Sequence, residues 1–183
     1  AASRAVRENA RRGCVLDLLA FWTAWRLDAL DAVRATCGPI QLPQSVLDRL
    51  RARREQFEFW ASDGHKSAGY EGGRIVLHEV SAEVVAGLRD EIERAIAWAK
   101  VNATVSPVVA SDNLPEGLRE HLRLGRSDIF DGLILARQFG TLLVTDDLPT
   151  REVNRVIDSS GGAWLHVVFG VAMDRKVIDF DQY

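Results

Sequence analysis

The chain has 183 residues, enough for one domain with a sizeable insertion but hardly for two independent cores. A hydrophobic content of 47% beside 27% charged residues argues against disorder. A net charge of -3 and a pI near 5.8 exclude whole-molecule attraction to nucleic acid, leaving only local basic patches for that purpose.

The opening "AASRAVRENARR" reads as a helical extension over residues 1–11, joined to something upstream, so a piece of a longer polypeptide is expected. "GCVLD" (13–17) is a short apolar strand ending in an acid. "LLAFWTAWRLDALDAVRAT" repeats Leu18, Trp22, Trp25, Ala29 and Val33 at helical spacing, which predicts one helix with a core face. "GPIQLP" (38–43) is a second strand, and Pro43 suits the first turn of the helix "QSVLDRLRARREQFEFW". This βαβα opening predicts a parallel sheet. Cys14 and Cys37 lie in or beside the strands and read as buried reduced thiols, with a disulfide as the alternative.

"HKSAGYEGGRIVLHEV" turns at Gly72-Gly73 and reads as a hairpin, with Ile75 and Leu77 on one face. A helix capped by Ser81 follows, with Val85, Leu88, Ile92, Ala95 and Ala99 as its apolar stripe. Residues 63–103 are expected as an insertion into a single domain whose α/β core takes 12–62 and 104–183. "SPVVASDNLPEGLREHL" returns through a loop and a short helix. "DIFDGLILARQF" is a helix stopped by Gly140, "TLLVT" a strand buried on both faces, and "DLPTREVNRVI" another helix. "AWLHVVF" is expected as a last strand. The predicted class is α/β, a central parallel sheet flanked by helices, with a hairpin and long helix inserted. No apolar run reaches membrane-spanning length and no signal-peptide pattern is present; a cytoplasmic location is the expectation.

Functional groups of an open parallel sheet gather beyond the carboxyl ends of its strands. That rule places Asp17, Asp131 and Asp147 on one edge, with Asp48 one turn into the helix after the second strand. Carboxylates sharing a site repel unless a cation neutralises them, and hard ions such as Mg²⁺ or Mn²⁺ suit oxygen ligands. The plain alternative is that each Asp caps a helix or turn, the favoured reading for Asp146 and for Asp128. Thr145 is balanced between a β-branched strand residue and a hydroxyl that orients the acids. Arg123 and Arg126 precede this edge and are the better-placed basic residues for RNA; "RLRARRE" reads more simply as a solvated helix face. "GYEGG" lacks the lysine and hydroxyl of a phosphate loop, and no serine-nucleophile elbow is present.

The pattern "D-x-L-I-x-A", a glycine, an apolar strand and "V-T-x-D" resembles the C-terminal half of a PIN domain. The resemblance covers residues 12–62 and about 105–170. It places the family's first, third and fourth acids on Asp17, Asp131 and Asp147 and its strand-end hydroxyl on Thr145. The second acid falls on Arg49 by strict register, one residue from Asp48. The insertion is similar to PIN-like domains of large bacterial proteins carrying tetratricopeptide repeats and a transcript-cleavage-factor module. The resemblance implies a Mg²⁺- or Mn²⁺-dependent endoribonuclease acting on RNA, with other domains of a longer polypeptide as further partners. Two other readings stand beside it. One is a PIN-fold binding or regulatory module without catalysis. The other is an aspartyl phosphate-transferring enzyme, disfavoured because no D-x-D-x-T follows the first strand.

Overall fold

The computed structural model describes residues 2–9, 12–109, 116, 119, 130–157 and 162–179. Asp128, Arg123 and Arg126 lie outside them. The chain divides into two compact units, Ala1–Val46 with Asn102–Tyr183, and Leu47–Val101.

The first unit is built on four parallel strands. β1 (Cys14–Leu16) pairs with β2 (Ile40–Pro43) on one side and β6 (Leu142–Val144) on the other. β5 (Ala103–Ser106) extends the sheet beyond β2, giving the order β5-β2-β1-β6. β1 and β6 are buried throughout, as strands covered on both faces must be. From β1 the chain moves outward to β2 and β5, then crosses back to place β6 on the far side of β1. The order of strand addition therefore reverses between β1 and β6, and that switch opens a crevice at their carboxyl ends.

Between β1 and β2 the expected single helix is two, α2 (Leu18–Arg26) and α3 (Leu30–Cys37). Asp28 breaks it with a φ of 52°, left-handed backbone that a helix cannot continue through. The break changes which residues face inward. Ala20, Phe21, Ala24, Leu30 and Val33 are buried, whereas Trp22 and Trp25 are only half-buried. Pro43 also differs from expectation: it ends β2 opposite Ser106, and the helix starts one residue later.

α1 (Ala2–Glu8) packs on α8 (Leu165–Asp174), joined by an Arg7–Asp174 ion pair. The segment expected as a last strand supplies only one bridge, Val144 to Ala163, before becoming α8. Its run is apolar apart from His166, and length alone did not separate a buried helix from a strand. α6 (Asp131–Phe139) ends at Gly140, whose φ of 62° is the left-handed cap expected there. Leu133, Ile134, Leu135 and Ala136 of α6 form a core cluster with Val15 and Leu143. α7 (Leu148–Ile157) follows β6.

In the second unit, α4 (Gln44–Trp60) leads to β3 (His65–Glu71) and β4 (Arg74–Val80), an antiparallel hairpin turning at Gly72-Gly73 as expected. One hairpin face carries Tyr70, Ile75 and Leu77, all about three-quarters exposed. α5 (Ala82–Asn102) buries Val85, Ile92, Ala95, Ile96 and Ala99. Ion pairs Arg54–Glu93 (2.8 Å) and Glu58–Arg89 (3.5 Å) join α4 to α5. Partner numbers rise on one helix as they fall on the other, so the two run antiparallel.

Candidate active site at the carboxyl edge of the sheet

β1 ends at Leu16, and Asp17 is the N-cap of α2, its Oδ1 accepting from the Ala20 amide at 2.7 Å. Its Oδ2 accepts from the Thr145 hydroxyl at the end of β6. Because β1 and β6 run parallel in register, Leu16 opposite Val144, their next residues meet across the crevice. Thr145 is fully buried and its Oγ1 also accepts from the Asp147 amide at 3.1 Å. One hydroxyl thus ties both strand ends together, which makes it more than a β-branched strand residue.

Asp147 caps α7. Its Oδ2 accepts from the Thr150 amide at 2.8 Å and the Thr150 hydroxyl at 2.5 Å. Thr150 is itself buried, and the sequence reading had overlooked it. The signal was present in "DLPT", where an acid precedes a hydroxyl by three residues at a helix start. Asp146 turns away to cap α8, its Oδ1 accepting from the Leu165 amide at 3.0 Å.

Asp131 opens α6. The next residue, Gly132, packs at this edge: a Cβ there would lie 3.4 Å from the Cβ of Asp17 and 3.4 Å from Leu143 Cδ1, ordinary contact distances. The first turn of α6 therefore lies against Asp17. Asp48 belongs to the Leu47–Val101 unit, where its carboxylate is exposed and paired with Arg51 at 2.8 Å.

Burial raises the pKa of Asp17 above the ordinary carboxylate value. The bonds from Thr145 and Ala20 oppose that rise, and repulsion from Asp146 and Asp147 adds to it. Such crowded anionic oxygens match a hard divalent cation in donor chemistry, and a cation would relieve the repulsion. They do not form a ready cage. Among the described residues, no three His, Cys, Asp or Glu side chains are grouped to hold a metal ion.

The fold and this edge define a class: a parallel α/β domain that carries Asp17 and Asp147 at the switch point of its sheet. The chain belongs to the PIN domain family, its residues 15–156 matching the model for a PIN domain associated with the TPR-GreAB-C-PIN system. Membership makes it a nuclease-like domain, of a type associated with a multidomain system. Neither the curated proteins nor the solved structures give a match. Among the described residues no helix is long and apolar enough to cross a membrane.

Proposed function

We propose that this domain is a metal-dependent endoribonuclease in which Asp17, Asp131 and Asp147 form the acidic site. The observation that carries the reading is the meeting of β1 and β6. Two parallel strands end side by side with Asp17 and Asp147 held by a shared hydroxyl, and Gly132, in the turn that Asp131 opens, lies against Asp17. Thr145 and Thr150 fix the two strand-end carboxylates, so that each presents its oxygens without searching rotamers. Asp17, Asp131 and Asp147 are the residues that would hold Mg²⁺ or Mn²⁺. The ion would supply charge neutralisation and support attack of water on an RNA phosphodiester.

The test is cleavage of single-stranded RNA with Mn²⁺, comparing wild type with Asp131→Asn and Asp147→Asn. Both variants should fold and should lose more than the roughly 10- to 100-fold that removal of an outer-shell partner costs. Equal cleavage by all three would sink the assignment. One observation favours the second reading, a PIN-fold module that binds or regulates without catalysis. Arg49 stands at the family's second acidic position, and its neighbour Asp48 is already paired with Arg51. Titration with Mn²⁺ bears on the choice, since a nuclease must bind the ion at the acidic edge and an inactive module need not.

A further inference from the structure

Beside the acidic edge stands a cation that the proposed cleavage has not used. Arg151, on α7, lays its stem over Gly162, where an added Cβ would meet Arg151 Cγ at 3.2 Å. The same point is 3.4 Å from the Leu143 carbonyl and 3.6 Å from Thr145 Cγ2. Gly162 therefore lies between the Arg151 stem and the end of β6, where Thr145 holds Asp17. The guanidinium carbon sits over the Trp164 ring, 4.1 Å from its centroid. Nη1 is shielded from solvent and has no hydrogen-bond acceptor among the described residues.

That combination is unusual for a packing residue. A guanidinium near several aspartates ordinarily forms an ion pair, because five planar donors match carboxylate geometry. Here Asp147 is bound by Thr150 and Asp146 by the Leu165 amide, and Arg151 instead stacks on an indole. The aromatic face restricts the guanidinium by cation–π attraction without filling its hydrogen-bonding edge. Arg151 as a residue is only half-buried, so the open part of its fork, rather than the shielded Nη1, is what an incoming anionic oxygen would meet.

We propose that Arg151, held on Trp164, binds a backbone phosphate of single-stranded RNA at the acidic edge, with Trp164 as its positioning residue. This rests on the nucleic-acid reading of that edge. It also answers a physical difficulty of the reading. A net negative protein with aspartates at the site repels a polyanion, and a fixed cation at the rim gives the strand both local attraction and register.

The experiment is fluorescence anisotropy of a labelled single-stranded RNA oligonucleotide in EDTA, so that cleavage does not consume the probe, over a range of salt. Arg151→Gln should bind roughly tenfold more weakly at low salt, the scale of one charged hydrogen bond. Its plot of log affinity against log salt should flatten by about 0.7, the contribution of one phosphate on a single strand. Arg151→Lys should keep that slope while binding more weakly, because a point charge replaces the planar fork. Trp164→Leu should weaken binding with the slope unchanged. If Arg151→Gln lowers the melting temperature but leaves affinity and slope as in wild type, Arg151 is a packing residue and the proposal fails. If that variant does not fold, Arg151→Lys decides, and unchanged affinity there overturns the proposal. Wild type that binds no RNA overturns it too. Arg151-dependent binding without any cleavage upholds this assignment and sinks the nuclease. Cleavage with Arg151→Gln equal to wild type in binding and KM does the reverse.

Discussion

Asp17 makes two contacts at once. It caps α2 and it faces Thr145, because the residue that starts a helix after a parallel strand is also the residue at the sheet's carboxyl edge. Asp147 repeats the arrangement on α7. Capping a helix therefore does not exclude a place at this edge, and both bonds fall on one carboxylate. The raised pKa of Asp17 gives this coincidence a measurable sign. A carboxyl whose folded pKa exceeds its unfolded value contributes nothing where both states are protonated. It destabilises the fold increasingly as pH rises from the unfolded value through the folded one. Asp17→Asn keeps an acceptor for the Ala20 amide and removes the charge. Its melting temperature should gain on wild type as pH rises from the ordinary aspartate range toward neutrality, and then hold level. Thermal melts across that range check it, and a gap that shrinks with pH would refute the burial argument.

At the scale of elements, periodicity located nearly every helix and strand but misjudged continuity. The stretch after Asp17 has helical spacing from Leu18 to Val33, and nothing in that spacing announces the left-handed Asp28. The edge strand β5 went unseen because "ATVS" is short and follows a helix without a turn signal. α8 was mistaken for a strand because its run, interrupted only by the exposed His166, carries too few polar residues to show the period that distinguishes the two. α5 was legible for the opposite reason. Its stripe alternates with charge, and Val85, Ile92, Ala95 and Ala99 are buried where the pattern placed them, with Leu88 half-buried. Ile92→Ala should cost about 2–5 kcal/mol in the Leu47–Val101 unit, as deletion of a buried branched side chain does elsewhere. Amide exchange along α5 reads that loss directly. Protection unchanged from wild type would mean that the stripe is not what holds the helix.

For the whole molecule, the strand order explains why three distant aspartates were worth grouping before any coordinates. A parallel sheet whose order of strand addition reverses between β1 and β6 brings residues near 17 and near 145 together regardless of the chain between them. Sequence alone supplied the acids and the parallel direction. It did not supply Gly132 against Asp17 or Arg151 on Trp164, since both depend on which surfaces meet. The same central strand fixes one more property. Cys14 of β1 and Cys37 at the end of α3 are the chain's two cysteines, free, buried and hydrogen-bonded to each other, and that bond with burial raises the Cys14 thiol well above its ordinary range. A thiol reagent therefore finds no target in the folded sheet. The colour released with time becomes a clock for opening of the central strand, and both sulfurs should report at one rate, quickened by urea. A fast first equivalent without denaturant would show that β1 or α3 opens on its own. Because the clock ticks only when the strand carrying Asp17 lets go, it also measures how long the acidic edge survives intact in the absence of any substrate.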